Sequence, residues 1–172
     1  MTAIVVCSND GELGRLVARR TAAALEYDLL GPELLDEVAR EHGAPRERLD
    51  RALEPTSRLA DRTRSLLLAQ IRAVTLERLQ RDRQVCHGLA AHLYVRDVSH
   101  VLTVRILQGT AALVEQIAAD QGLSEARATR QLQRSQERRS RWAAAFFGVD
   151  EADAANYDMV LAGGQMGEGR AG

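Results

Sequence analysis

Short apolar runs alternate with longer segments of helical periodicity along the chain. The apolar runs at 4–6, 29–30, 84–88, 101–107 and 157–161 predict five strands. Between them, apolar residues recur at the three- and four-residue spacing of helices that bury one face. Strands separated by helices are typical of a doubly wound parallel sheet, which binds ligands at the carboxyl ends of its strands. The pattern therefore predicts an α/β fold.

The intervening segments predict helices of unequal length. They cover 16–25, 31–43, 44–53, 57–82, 89–95, 110–119 and 124–145. Gly43 and Gly122 follow two of these segments, and Gly is suited to the left-handed conformation that ends many helices. We expect a single domain over residues 1–162 and a flexible Gly-rich tail over 163–172.

The composition narrows the possible chemistry. All 23 basic residues are Arg, because the chain contains no Lys, so no Schiff base, phosphate-loop ammonium or Lys general base is available. The formal net charge of −1 provides no overall attraction to nucleic acid or to an anionic membrane. The sequence has no apolar run of about 18 residues, no signal-peptide pattern and no disulfide framework. We expect a cytoplasmic protein without a nucleic-acid or membrane partner.

The segment over 2–25 contains the clearest chemical signal. A buried strand at 4–6 is followed by a Gly-containing turn at 8–14 and a helix, the arrangement in which backbone N–H groups cradle phosphate. The standard phosphate-loop motif has Lys and then Ser or Thr after its last Gly, whereas Arg15 and Leu16 follow Gly14. The candidate phosphate-binding residues are Ser8, Gly11, Glu12, Leu13, Gly14, Arg15 and Leu16.

Two of the predicted helices are rich in Arg. In the helix at 57–82, we interpret the arginines as a solvated face. Its apolar face is predicted to contain Leu59, Leu66, Leu67, Ala69, Ile71, Val74 and Leu79, and its polar positions include Arg58, Arg62, Arg64, Arg72 and Arg78. The helix at 124–145 has the densest basic cluster, which is either an anion clamp over the crevice or another solvated face. Trp142, Phe146 and Phe147 are interpreted as packing that docks this helix.

Cys7 and Cys86 lie near the ends of predicted strands, with His87 and His92 close by in sequence. A metal site or a redox pair is one interpretation of this grouping. The spacing matches no zinc signature, and a strand-end Cys more often behaves as a small buried hydrophobic residue. We therefore predict no metal site.

Four segments, in the same order, resemble the cytidylate kinase-like family of P-loop phosphotransferases. They read CSNDGELGRLVARRTAAALEYDLLGPELLDEVA, VCHGLAAHL, GLSEARATRQLQRSQERRSRWAAAFFG and NYDMVLAG. They correspond to the family's Gly-rich turn with the helices after it, a strand ending in Gly-Arg, a lid helix and a closing Asn-Tyr-Asp strand. The resemblance implies a P-loop NTPase-like fold with a parallel five-stranded sheet flanked by helices, a helical insertion and an Arg-rich lid helix.

The resemblance also implies an activity, the magnesium-dependent transfer of the γ-phosphoryl group of ATP to a nucleoside monophosphate or a related small acceptor. Such transfer depends on positioning and on cations that neutralise phosphate charge. Arg15 matches the basic residue of the turn, while Arg139 and Arg141 match the lid arginines. These three are the candidate catalytic residues, and residues 156–158 match a closing motif for which we expect a structural role.

The departures from the family pattern are concentrated at the positions expected to bind phosphate, magnesium and the acceptor. Glu12 places a carboxylate in the turn, Leu16 offers no oxygen to magnesium, and Gly-Pro at 31–32 replaces an Asp-Arg pair expected to handle the acceptor. Leu89 replaces an Arg, and Gln136 replaces a lid Asp. Each lost charge-assisted contact costs about 1.5–3 kcal/mol, and about 1.4 kcal/mol is tenfold in rate. We predict catalytic impairment.

Three hypotheses follow from the sequence. The first is an impaired kinase-like domain that binds a nucleotide or another phosphate-bearing small molecule weakly, or that has a regulatory role. The second is an active phosphotransferase that uses ATP and magnesium. The third is a non-enzymatic interaction module, either a homodimer formed through the helix at 57–82 or a domain that binds another protein.

Overall fold

The centre of the molecule is one sheet of five parallel strands. The structure, a computed structural model, describes residues 3–95 and 98–162. The strands are β1 (Ala3–Ser8), β2 (Asp28–Leu30), β3 (Gln84–His87), β4 (Val101–Leu107) and β5 (Met159–Ala162). They lie in the order β2-β3-β1-β4-β5, and every neighbouring pair is parallel. The α/β class and the parallel five-stranded sheet predicted from the sequence are confirmed.

Six α-helices flank the sheet within the described ranges. They are α1 (Gly11–Leu25), α2 (Leu34–His42), α3 (Arg46–Leu53), α4 (Asp61–Leu79), α5 (Thr110–Gln121) and α6 (Glu125–Phe147). Helices α2, α3 and α4 form the helical insertion between β2 and β3, and α6 is the Arg-rich helix. As predicted, Gly43 and Gly122 follow α2 and α5 in the left-handed conformation, each with φ of 62°.

The strand register sorts the side chains of β1 onto two faces. Val5 pairs with Cys86 of β3 and packs with the core formed by α2, α3, α4 and the end of α6. Val6 projects to the other face, where it packs with Ala18 of α1. Because side chains alternate along a strand, Cys7 projects from the same face as Val5, beside its β4 partner Arg105. The central strand is thus covered on both faces, as its apolar run predicts.

The solvated-face interpretation of the α4 arginines is wrong for Arg64, which is only 5% exposed. Its Nε donates to the Ala52 carbonyl at 2.9 Å, and its Nη2 donates to the Glu54 carbonyl. Its guanidinium carbon lies 5.6 Å from the centroid of the Trp142 ring and 4.8 Å from that of Phe146. Arg64 therefore joins the end of α3 to the aromatic end of α6, and the predicted docking of α6 through its aromatic residues is confirmed.

Other predictions need smaller corrections. Leu66, which is 60% exposed, and Ala69, which is also exposed, do not lie on the apolar face of α4, because Leu67 and Leu68 take the buried positions. The helix predicted over 89–95 is a single 3-10 turn at Ala91–Leu93. The tail predicted over 163–172 lies outside the described residues. In the described ranges, every helix is too short or too polar to cross a membrane.

β5 is held at the edge of the sheet by Asp158. The amide and the hydroxyl of Thr103 each donate to the Asp158 carboxylate at 2.7 Å, and the Asp158 amide donates to the Thr103 carbonyl at 3.0 Å. The hydrogen bonds from Thr103 hold the pKa of Asp158 below its usual value. This contact agrees with the structural role expected for the closing motif.

Candidate functional site

The turn between β1 and α1 consists of only two residues, Asn9 and Asp10. Because α1 begins at Gly11, residues 11–14 already form the first helical turn, and the open turn predicted over 8–14 is wrong in its extent. The side-chain amide of Asn9 anchors the turn to the β4–α5 connection. Its Nδ2 donates to the Gln108 carbonyl at 2.9 Å, and its Oδ1 accepts from the Gln108 amide at 2.8 Å.

Four backbone amides of this region donate to acceptors within it. The Oδ1 atom of Asp10 accepts from the amides of Glu12 at 2.9 Å and Leu13 at 3.3 Å, as an N-cap carboxylate does. The Gly14 amide donates to the Asp10 carbonyl at 3.0 Å, and the Asp10 amide donates to Ser8 Oγ at 3.1 Å. A carboxylate of the chain itself therefore occupies the helix N-terminus, where a phosphate would bind.

The charged side chains that follow the turn point to solvent. Arg15 Nη2 lies 2.9 Å from Glu12 Oε2 in an ion pair whose side chains are 57% and 76% exposed. Leu16 is 47% exposed, and its side chain has no oxygen atom. The two charges are thus paired with each other at the surface, within one turn of α1.

Gly14 lets α1 approach the ends of β1 and β3 closely. A Cβ atom at this position would lie 3.0 Å from Ser8 Cβ and 3.3 Å from His87 Nε2. Burial is the main cause that lowers the pKa of His87, so a neutral imidazole fills the space beside the helix. The residue at position 14 must therefore be small for reasons of packing alone.

A cavity of about 240 Å³ lies beyond the carboxyl end of β1, on the side from which Cys7 and Arg105 project. Its lining also includes Asn9 of the turn, Leu89 after β3 and Arg139 of α6. Because ligands bind at the carboxyl ends of parallel strands, the sequence predicts that the turn at 8–14, the region around Gly88 and the Arg-rich helix face one crevice. The structure brings them together there.

Charged side chains meet at one wall of this cavity. Arg139 Nε lies 3.7 Å from Glu151 Oε1, and Arg105 Nη1 donates to the Glu151 backbone carbonyl. Tyr157 Oη donates to the same carbonyl at 2.9 Å. Burial raises the pKa of Glu151, although both arginines oppose this. Burial, Arg105 and Arg139 together lower the pKa of His92 to about 4, so its imidazole is neutral at pH 7.

Two N–H donors on α6 have no hydrogen-bond acceptor in the described part of the chain. They are Arg139 Nε and Trp142 Nε1, both of which are buried, and both residues line the cavity. Trp142 as a whole is 8% exposed. The separation between Arg139 Nε and Glu151 is an ion-pair distance and is too long for a hydrogen bond.

The three candidate catalytic arginines do not lie around one cavity. Arg139 lines the cavity and also a neighbouring cleft of about 990 Å³, which Arg141 lines as well. Arg15 lines neither of them and remains with Glu12 on the surface. The phosphate contacts predicted for these arginines, and for the residues of the turn, stay predictions.

The two cysteines are free thiols that lack thiolate character. Burial raises the pKa of Cys7 to about 11 and that of Cys86 to about 12. Reactive cysteines have a lowered pKa instead. Across residues 3–95 and 98–162, no group of three or more His, Cys, Asp and Glu side chains could hold a metal ion. The metal or redox interpretation of these cysteines gains no support.

Sequence reasoning missed Asp10, Arg105 and Glu151 as parts of the site. Asp10 had a signal, because Asp immediately before a helical segment is a preferred N-cap. Arg105 had one too, because it is a charge inside the otherwise apolar run at 101–107. Glu151 had none, since it is one of several acidic residues in an irregular segment and becomes special only through its neighbours in space.

Comparisons with known proteins find a matching family model and similar solved structures. A protein-family model described as "Cytidylate kinase-like family" matches residues 9–165. A crystal structure of an uncharacterized protein from Eubacterium ventriosum ATCC 27560 is similar, with a TM-score of 0.62, 21% identity, and coverage of 94% of this chain and 88% of that chain. A gluconokinase from Sinorhizobium meliloti 1021 matches with a TM-score of 0.47, 17% identity, and coverage of 94% and 81%. A search of curated proteins finds no match.

The parallel sheet, the strand–turn–helix at its centre and the Arg-bearing helix over its carboxyl edge define a kinase-like P-loop domain. The match to the family model extends over most of the sequence. The chain belongs to the cytidylate kinase-like family.

Proposed function

We propose that this chain is a kinase-like domain that does not transfer phosphate from ATP, and that it acts by binding a small ligand or by a regulatory contact. The observation that carries the proposal is the Asp10 carboxylate at the N-terminus of α1. It accepts from the amides of Glu12 and Leu13, which are the groups that would otherwise face a phosphate. A phosphate would have to displace this carboxylate and would meet its negative charge.

The residues around the turn do not fit ATP and magnesium. Asp10 and Glu12 place two carboxylates beside the helix N-terminus, and Arg15 is already paired with Glu12. The side chain of Leu16 has no oxygen atom to offer to a metal ion. We therefore derive no phosphoryl-transfer step for this chain.

Weak binding of a nucleotide or another phosphate-bearing molecule is the second part of the proposal. Arg139 and Arg141 support it, because they line the same cleft of about 990 Å³ beyond the carboxyl edge of the sheet. We also propose that the protein resides in the cytoplasm, because Cys7 and Cys86 are free thiols, which a reducing compartment preserves.

A thermal-shift titration with ATP, CMP and CDP, with and without magnesium, tests the proposal. A ligand that binds only the folded state raises its stability in proportion to RT ln(1 + [L]/Kd). We expect no magnesium-dependent shift with ATP, no ATP turnover, and a small magnesium-independent shift with CMP or CDP. Magnesium-dependent turnover of ATP would contradict the proposal and would make the chain an active phosphotransferase.

Two substitutions at position 10 isolate the cause. Asp10→Gly frees the amides of Glu12 and Leu13, and Gly is tolerated at an N-cap at a cost of a few tenths of a kcal/mol. Asp10→Asn is the matched control, because its side-chain oxygen still occupies these amides without the charge. We expect pyrophosphate to stabilise only the Gly variant. An equal gain in the Asn variant would show that charge alone, and not occupation of the amides, excludes phosphate.

A further inference from the structure

Helix α6 presents a row of arginines to solvent along its outer face. Every member of the row is exposed, and successive members are three or four residues apart. On an ideal helix this spacing places them all within about 80° of arc and along about 21 Å of the axis. We call them the arginine stripe: Arg127, Arg130, Arg134, Arg138 and Arg141.

The arginine stripe has no carboxylate partner among the residues that the structure describes. None of its side chains forms an ion pair there, although Glu137 lies exposed on the same helix. Arg130, Arg134 and Arg138 follow one another at intervals of four residues, and like charges at this spacing destabilise a helix. The concentration of positive charge therefore costs helix stability without forming an ion pair within the fold.

The charge of the molecule is divided between this helix and the rest of the chain. With six Arg and two Glu, α6 carries a formal charge of +4, so the remainder of the chain carries −5. Helix α5, which packs against α6, exposes Glu115 and Asp120. A polyanion confined to the arginine stripe is attracted to it, whereas one that extends beyond it meets charge of its own sign.

This division favours a short acidic partner over nucleic acid or a membrane. Domains that bind nucleic acid typically have a pI above about 9, whereas the sequence pI here is about 6.4. No aromatic residue occurs between positions 127 and 141 to stack on bases. A helix that lies in a membrane surface needs a free apolar face. The apolar residues of α6 are already used, because Ala128 and Leu132 pack with α5 and Trp142 packs in the core.

An acidic helix matches the arginine stripe in spacing as well as in charge. Side chains three or four residues apart on a helix have Cβ atoms about 5–6 Å apart. Asp and Glu at that interval on a second helix present carboxylates with the same repeat as the guanidinium groups, and Arg binds carboxylates in a bidentate geometry. We propose that the arginine stripe binds an acidic helix of a partner protein. The proposal goes beyond the proposed function, because it requires neither a nucleotide nor the turn before α1.

A synthetic peptide provides the first test. We would titrate the full chain into a fluorescently labelled Ala-based peptide of about 18 residues, which is about 27 Å long as a helix and spans the arginine stripe. Its glutamates recur at three- and four-residue spacing on one face. One control peptide has the same composition with the glutamates distributed around the helix, and another has Gln in place of Glu. Circular dichroism checks that the three peptides are equally helical.

We expect saturable binding of the one-face peptide, measured by fluorescence anisotropy in low-salt buffer. Its Kd should rise as NaCl is added, because salt screens exposed charges. The distributed peptide should bind at least about threefold more weakly, because only part of its glutamates can face the stripe at once. The Gln peptide should not bind. Single-stranded DNA, duplex DNA and phosphatidylglycerol vesicles are the competing polyanions, and each should bind more weakly than the one-face peptide.

Paired substitutions then locate the contact. The double variant Arg130→Gln and Arg134→Gln removes two central charges of the arginine stripe, and we expect it to raise the Kd at least about fivefold. The matched control is Arg19→Gln with Arg20→Gln, two exposed arginines of α1, which should raise it less than about twofold. Both variants change exposed positions, so we expect both to fold, and circular dichroism with urea unfolding checks this.

The remaining outcomes overturn the proposal. No saturable response to the one-face peptide would show that the arginine stripe is only a solvated face. Tighter binding of DNA or of the vesicles would replace the protein partner by that polyanion. Equal binding of the distributed peptide would remove the role of helical spacing, and an equal loss in the two double variants would attribute binding to net charge. A failure of the proposed function appears separately, as a magnesium-dependent response to ATP.

Discussion

The turn before α1 and the cavity beside α6 lie at the same edge of the sheet, but they treat their hydrogen-bond donors in opposite ways. At the turn, the amides of Glu12 and Leu13 donate to the chain's own Asp10 carboxylate. At the cavity, Arg139 Nε and Trp142 Nε1 remain without an acceptor in the described residues. Satisfied donors favour stability, whereas buried donors without an acceptor cost stability. The turn is therefore expected to gain stability from its donors, and the cavity wall to lose it.

The largest effect on the free energy of unfolding is expected at Arg64, which joins the Trp142 side of the cavity to the end of α3. Arg64→Met leaves the carbonyls of Ala52 and Glu54 without their donor and removes the cation beneath the Trp142 ring. We expect a loss of about 3 kcal/mol in the free energy of unfolding, measured with urea. Arg62→Met, at an exposed position of the same helix, should stay within about 0.5 kcal/mol of the wild type. A loss below about 1 kcal/mol for Arg64→Met would show that the wall does not depend on this residue.

Lowering the pH should reduce the free energy of unfolding, because His92, which lines the cavity, must be protonated in acid. Its pKa is about 4 in the folded protein and about 6.5 in the unfolded chain. Because the unfolded state then binds the proton more readily, stability is retained above about pH 6.5 and lost as the pH falls toward 4, by about 2–3 kcal/mol in total. Urea titrations at several pH values in wild type and His92→Gln check this. The variant should lose the part of the slope between these pH values, and identical slopes would contradict the prediction.

A smaller effect is expected at the turn. Asp10→Ala removes the acceptor of two amides and should cost about 1 kcal/mol of stability, as the loss of an N-cap does. Asp10→Asn keeps an acceptor oxygen and should cost less. Urea unfolding of both variants provides the measurement. If Asp10→Ala were as stable as the wild type, the carboxylate would not be holding the turn closed, and the contrast with the cavity would disappear.

The smallest effect is expected for the exposed Glu12–Arg15 pair. Glu12→Gln breaks an ion pair between side chains that are largely in solvent, and such pairs contribute little. We expect a change within about 0.5 kcal/mol in the free energy of unfolding, in low-salt buffer. A loss as large as that of Asp10→Ala would mean that the pair, rather than the cap, keeps the helix N-terminus closed.

The elements of the sheet were predictable because their signal is local. The apolar run at 4–6 identifies the central strand, and Gly43 and Gly122 mark helix ends that the structure confirms. The burial of Arg64 was not predictable, because its partners are backbone carbonyls near residue 53 and rings near residue 145. In the sequence it is one more Arg in a helix with many.

The candidate site was predictable only in part, and for the same reason. The crevice at the carboxyl edge follows from the order of strands and helices. The sequence left the arginines of α6 as either an anion clamp or a solvated face. In the structure Arg139 and Arg141 line the cleft there, whereas the other arginines of α6 are exposed and line neither cavity. The cavity itself combines residues from Cys7 to Tyr157, and its charge balance depends on Glu151 lying 3.7 Å from Arg139. No spacing along the chain encodes that distance.

The shortness of the Asn9–Asp10 turn has a consequence for how this protein can change over generations. Phosphate-loop glycines are separated by four residues, whereas Gly11 and Gly14 are separated by two, and Asn9 is tied to the backbone of Gln108. Replacing side chains alters the groups in the turn but leaves its span unchanged. A loop with the span of the standard phosphate-loop motif would need inserted residues together with the release of Asn9 from Gln108. Single side-chain substitutions provide neither change, so the two-residue turn limits which loop geometries one mutation can reach.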